Sequence, residues 1–179
     1  EARGLDGVAM LLRDFDALSG LPVRTNDEID AGGLSAFTIA PLVIDLAIAE
    51  KQNLTVKNIR SPLAAVAYAV RKAVNGRWFR LTWGKGEALA FEGTASIFFT
   101  GPDNSTKLII TMGHCNPPAI CSTATSAAEL ERRRQHALTE GLSISRDARE
   151  RLLDAANKVL VPASEKSRSS AGAEVDDNE

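Results

Sequence analysis

Between Asn53 and Gly84 the hydrophobic pattern changes period twice, and this stretch predicts the class of fold. Leu54, Val56 and Ile59 lie among Thr55, Lys57, Asn58 and Arg60, which suits a strand with one buried face. From Ser61 onward Leu63, Val66, Ala67, Val70 and Val74 follow the i, i+3, i+4, i+7 spacing that lays one apolar stripe along a helix. Ser61 is placed to cap that helix, and Pro62 at its first position loses no hydrogen bond. Arg71 and Lys72 fall late in it, where cations suit the helix dipole, and Asn75-Gly76 supplies the stop. Trp78, Arg80 and Thr82 then alternate with Phe79, Leu81 and Trp83, giving one apolar face and one mixed face. A strand, helix, strand order of these lengths predicts parallel pairing of the two strands through a right-handed crossover.

Elsewhere the same patterns predict further elements. Val8, Leu11, Leu12, Phe15 and Leu18 form an amphipathic helix stopped by Gly20 and Pro22. The acidic stretch "TNDEIDAGGLSA" reads as a linker or active loop. A second helix is predicted from Ile39 to Lys51, with Leu42, Val43, Leu46 and Ala49 apolar. After Gly84, "EALAFEG", "ASIFFTG" and "KLIITMG" are short apolar runs broken by turn residues, the pattern of antiparallel hairpins. From Ser126 two helical stretches follow, divided by Gly141, and Pro162 ends the second.

The prediction is therefore an α+β fold: a mixed sheet with a strand-helix-strand crossover followed by antiparallel hairpins, with helices at both ends. Three regions are expected, a helical segment over 1–30, an α+β core over 31–162 and a polar tail over 163–179. Because Glu1 opens a stretch that reads as a helix already under way, the natural start is expected to lie upstream.

With 179 residues, 44% of them hydrophobic, the chain has enough apolar material for one core. A net charge of -2 gives no basic field, so nucleic-acid binding is not expected. No apolar run reaches bilayer length, no signal peptide precedes a cleavage site, and Cys115 and Cys121 are too few for a disulfide-stapled secreted domain. The expectation is a cytoplasmic protein without a membrane partner; Asn53-Leu54-Thr55 and Asn104-Ser105-Thr106 match the glycosylation acceptor pattern but lack an export signal.

Candidate chemistry is sparse. His114, Cys115 and Cys121 are soft ligands, yet a structural zinc site wants four, and His136 is the only other histidine. On an extended backbone His114 and Cys115 point to opposite faces, so the imidazole is poorly placed to activate the thiol. Gly84-Lys85-Gly86 lacks the third glycine of a phosphate cradle and reads as a hairpin turn. Asp14 and Asp16 diverge around their helix and read as solvated surface, while Asp27, Glu28 and Asp30 read as an ordinary acidic turn. Arg132, Arg133 and Arg134 lie beside Glu129 and Glu131, which local ion pairing explains. Asp45 stands out within "PLVIDLAIA", where burial would raise its pKa unless a partner such as Arg60 compensates; these two residues define a possible pocket. No metal or cofactor is implied.

The C-terminal segment carries a resemblance. "VPASEKSRSSAGAEVDDNE", Val161 to Glu179, resembles the closing signature of a bacterial family classed as a domain of unknown function. That signature reads Tyr-Val-Pro-Ala-Thr-Glu-x-Ser-Arg, then Gly-Ala-Gly-Ala, then Asp-Asn-Asp. Leu160, Ser164, Ser170 and Glu179 replace its Tyr, Thr, first Gly and last Asp. Upstream, "PLVIDLAIAE", "RSPLAAVAYAVRKA" and "RLTWG" extend the likeness more weakly. The resemblance implies no particular activity, substrate or cofactor.

Physically, Glu165, Ser167, Arg168, Asp177 and Asn178 offer hydrogen-bonding groups on a backbone loosened by Gly172, and Arg168 offers a fork to a carboxylate or phosphate. Such a segment orders only on docking. The leading expectation is a non-catalytic accessory or partner-binding subunit of a metabolic enzyme complex, with a protein partner or further copies of itself. The alternative is a small-molecule enzyme using Asp45, Arg60 and tail groups.

Overall fold

In the computed structural model, which describes residues 4–15, 20–26, 28–100, 104–120 and 124–159, the short apolar runs assemble into one seven-stranded mixed sheet. Its strands are β1 (Val23–Thr25), β2 (Glu28–Asp30), β3 (Leu54–Lys57), β4 (Arg77–Trp83), β5 (Gly86–Phe91), β6 (Thr94–Phe99) and β7 (Lys107–His114). Across the sheet the order is β1-β2-β3-β7-β4-β5-β6. The helices are α1 (Gly4–Phe15), α2 (Ala36–Glu50), α3 (Ala65–Lys72), α4 (Ala127–Glu140) and α5 (Arg146–Val159). The chain divides into two units, Glu1–Ser143 and Ile144–Glu179, and α5 belongs to the second. No helix among the described residues is long and apolar enough to cross a membrane.

The α+β class and the hairpins are as expected, but the crossover differs in detail. β3 and β4 each pair antiparallel with β7, so they run in the same direction without bonding to one another. β7 arrives late in the chain and fills the gap between them. The directly bonded parallel pair is β2 with β3, joined through α2. The stretch read as an acidic linker is therefore itself part of the sheet, because Ile29 buries against the core while Glu28 and Asp30 alternate outward.

Helix boundaries also shift. α2 starts at Ala36, ahead of the expected Ile39, because the Ser35 hydroxyl accepts from the Phe37 N–H and caps it. The third helix begins as a 3-10 turn, Pro62–Ala64, and ends at Lys72. Val74, beyond that end, is exposed. Ser61 has a left-handed backbone and makes no capping bond, contrary to the expected cap.

One face of the sheet makes the core. Leu54 and Val56 of β3, Phe79, Leu81 and Trp83 of β4, Ala88 and Ala90 of β5, and Leu108 and Ile110 of β7 point to it. α2 covers it with Ile39, Val43, Ile44 and Ala47, and α3 with Val66 and Ala69. Small residues on β5 leave room for the Trp83 indole, which lies across Gly86, its cross-strand partner; a Cβ there would sit 2.3 Å from the ring. The Trp83 Nε1 is buried without a hydrogen bond, at a cost of about 1–3 kcal/mol. Burying an indole of roughly 200 Å² returns about 5 kcal/mol, so the packing prevails.

Candidate functional site

Three groupings of side chains lie outside that core. The first is buried. Asp14, Ser35 and Ser61 are the buried polar residues among those described, and they come together from α1, the start of α2 and the turn before α3. Ser35 Oγ donates to Asp14 Oδ2 at 2.6 Å, Arg13 Nε donates to Asp14 Oδ1 at 3.1 Å, and Ser61 also hydrogen-bonds the carboxylate. The Arg13 guanidinium reaches the Ser61 hydroxyl as well. Burial alone would push the Asp14 carboxyl up; the three hydrogen bonds and the Arg13 charge outweigh it and hold the group below its usual value. Asp14 is thus not the solvated surface that its divergence from Asp16 around the helix suggested, but an ionised staple tying α1 to the N-terminal ends of two helices, where negative charge is favoured. A carboxylate so held is a poor proton acceptor.

The second grouping is exposed. Asp45 pairs with Lys72 Nζ at 2.8 Å and accepts from the Tyr68 hydroxyl at 2.8 Å. Lys72 and Arg71 stand 5.2 and 5.9 Å from the Tyr68 ring centre. The Lys72 hydrogen bond is the main reason the Asp45 carboxyl titrates below its usual value, so its apolar sequence neighbours do not raise it. Arg60 is not its partner. The Arg60 backbone bridges Ser35 at the start of α2, ten residues before Asp45, or about 15 Å along the helix axis. The two residues expected to share a pocket sit apart.

The remaining sequence candidates are dispersed. His114 ends β7, exposed, and Cys115 follows in a turn whose carbonyl accepts from Trp78 Nε1 at 3.1 Å. Among the described residues no three His, Cys, Asp or Glu side chains gather as a metal would require. Glu129 holds Arg132 and Arg133, which draw its pKa down to about 2. Asp16, Asp27, Cys121 and the tail residues Glu165, Ser167, Arg168, Gly172, Asp177 and Asn178 lie outside the described residues.

The third grouping is the sheet face opposite α2 and α3. Strand alternation places Trp78, Arg80 and Thr82 there, with Glu87, Leu89 and Phe91 of β5 and Phe98 of β6. Trp78 stands directly opposite Phe91, and Glu87 opposite Phe98. The Trp78 indole lies across Gly113 of β7, where a Cβ would come within 2.4 Å of it. Trp78, Leu89, Phe91 and Phe98 are half-buried, and Ile109 of β7 is 37% exposed. None of them joins the buried cluster beneath α2 and α3. An ion pair, Arg80 with Glu87, crosses the middle of this apolar ground. Toward β2 the same face carries Lys107, Lys57, Glu28 and Asp30, with Lys57 paired to Glu28. The face thus carries cations and anions in equal number, Arg80, Lys57 and Lys107 with Glu87, Glu28 and Asp30, and the Asp30 carboxylate accepts from the Gly32 N–H and from Asn58 Nδ2, each at 2.8 Å. α4 meets the sheet at its β6 edge, following the bridge between Ile97 and Thr125.

Compared with protein-family models, curated proteins and solved structures, the chain has no match.

Proposed function

We propose that the chain is a non-catalytic partner-binding module, an accessory subunit of a metabolic enzyme complex, that meets another protein chain through the sheet face carrying Trp78, Phe91 and Phe98. The observation that carries this reading is that face itself: large apolar side chains, half-buried, around an ion pair, on a rigid sheet stiffened from behind by two helices. Aromatic anchors ringed by polar residues are the composition of protein interfaces, and the matched charges offer nothing to a polyanion. In this reading the polar C-terminal segment, with Arg168 and its likeness to the bacterial family, adds a second point of attachment.

A photoreactive amino acid at Phe98 in the full chain, irradiated in cells, tests it. Cross-linking to a defined protein, self or other, is the expected result, while the same group at the exposed α2 residue Leu42 gives none. Equal labelling at both positions, or none at Phe98, refutes the reading. Removing Ala163 to Glu179 is expected to weaken the Phe98 adduct without unfolding the chain.

A further inference from the structure

Resting on the reading of the sheet face as a protein interface, we infer that its occupant is a second copy of the same chain, related by a two-fold axis passing between β4 and β5. A two-fold interface sets a surface against itself, so each charge must find its opposite within the same patch. The centre of this face meets that condition, since Arg80 is matched there by Glu87, and the face as a whole is balanced, with Arg80, Lys57 and Lys107 equal in number to Glu87, Glu28 and Asp30. A partner of strong net charge would leave half of these groups without a counterpart.

The charges are also suitably arranged. Arg80 faces Leu89 and Glu87 faces Thr82, so the Arg80 to Glu87 pair runs diagonally across the β4 to β5 ladder. An axis lying in the plane between the two copies, perpendicular to that diagonal at its midpoint, exchanges the two ends. Arg80 of one copy then meets Glu87 of the partner subunit, and Glu87 meets Arg80 of the partner subunit. The aromatic residues flank that centre on both sides, Trp78 with Phe91 at one end and Phe98 at the other, so the same operation lays one aromatic end upon the other.

Size sets the strength. Four strands, β7 and β4 on one side of the axis and β5 and β6 on the other, spaced about 4.8 Å apart and about 20 Å long, give a projected footprint of roughly 380 Å². That falls at the small end of specific interfaces, so the dimer is a weak and reversible one.

Sedimentation velocity on the purified full chain, from about 5 to 500 µM, tests the inference. The wild-type chain is expected to shift from monomer toward dimer over that range. R80E and E87R, each alone, set like charges against each other and are expected to remain monomeric, while an equimolar mixture of the two restores both cross-pairs and gives a heterodimer. Ile109→Asp, at an exposed position on the same face, is expected to abolish the dimer whatever the charge variants do. Circular dichroism confirms that each variant is folded. A wild-type chain that stays monomeric at the highest concentration overturns the inference, as does a dimer that all of these variants preserve. If the purified chain is monomeric yet Phe98 cross-links to a different protein in cells, the second copy is refuted and the interface stands. If neither is seen, both fail.

Discussion

Replacing Asp14 with alanine removes the only charge buried among the described residues and leaves two hydroxyls, those of Ser35 and Ser61, without their acceptor. A hydrogen bond to an ionised group contributes about 1.5–3 kcal/mol net, and two are lost here. Arg13 is 54% exposed and recovers its bonds from water, so its share is small. Part of the loss is offset because the alanine has no charge to desolvate, which leaves a cost of about 3 kcal/mol. For a domain of this size that lowers Tm by roughly 6–12 °C.

Urea unfolding followed by circular dichroism measures the loss directly. Asp14→Asn keeps the shape and one acceptor, and should lose about half as much. The pH dependence supplies an independent check. Because the folded carboxyl titrates below its unfolded value, its stabilisation is complete above about pH 5 and disappears as pH falls through the folded pKa, below about pH 4. The gap between wild type and D14A should close over that range. A variant within about 0.5 kcal/mol of wild type at neutral pH, or two pH profiles that run parallel, refutes the account. So would loss of hydrogen-exchange protection confined to α1 with an unchanged global midpoint, since the staple would then not be coupled to the sheet.

Other outcomes follow from the same geometry. Gly86→Ala forces a methyl into the buried Trp83 ring and should cost about 2–3 kcal/mol in chemical unfolding, whereas Gly113→Ala should cost less because the half-buried Trp78 has room to swing outward. Asp45→Asn, in a pair whose partners are 47% and 36% exposed, should leave the unfolding midpoint unchanged at moderate salt; a marked loss would mean that the Tyr68 cluster is structural. Ser126→Ala removes the hydroxyl that accepts from the Glu129 N–H and should reduce the helicity of α4, read from Cα chemical shifts, by the equivalent of about 1 kcal/mol. Helicity there should also fall in wild type as pH drops through about 2, where Glu129 protonates and releases Arg132 and Arg133.

The class of fold was legible because period alone distinguishes a strand from a helix. Phe79, Leu81 and Trp83 alternate with Trp78, Arg80 and Thr82 in the sequence and in the structure alike. The sheet order was not legible, since β7 takes its place between β3 and β4 through pairings made some thirty to fifty residues away along the chain, which local pattern does not encode. β1 and β2 are not legible for a related reason: three-residue strands with one apolar position each, Val23 and Ile29, carry too little periodicity to register. The burial of Asp14 was not legible because its divergence from Asp16 around the helix suggests a solvated surface, whereas the groups that bury it, Ser35 and Ser61, are distant in sequence. Asp45 shows the reverse, with apolar neighbours along the chain and a cation and a phenol in space. For the half-buried sheet face opposite the helices the signal was present in the alternation, as a strand whose second face is mixed rather than polar.

The two indoles of this protein lie against glycines on opposite sides of one sheet, Trp83 beneath the helices and Trp78 on the open side. Each side therefore carries its own built-in fluorophore. Trp83 should emit toward the blue and resist acrylamide, while Trp78 should be the quenchable one. A single spectrum, resolved into those two components, can report an event on one side of the sheet while the other serves as its internal standard.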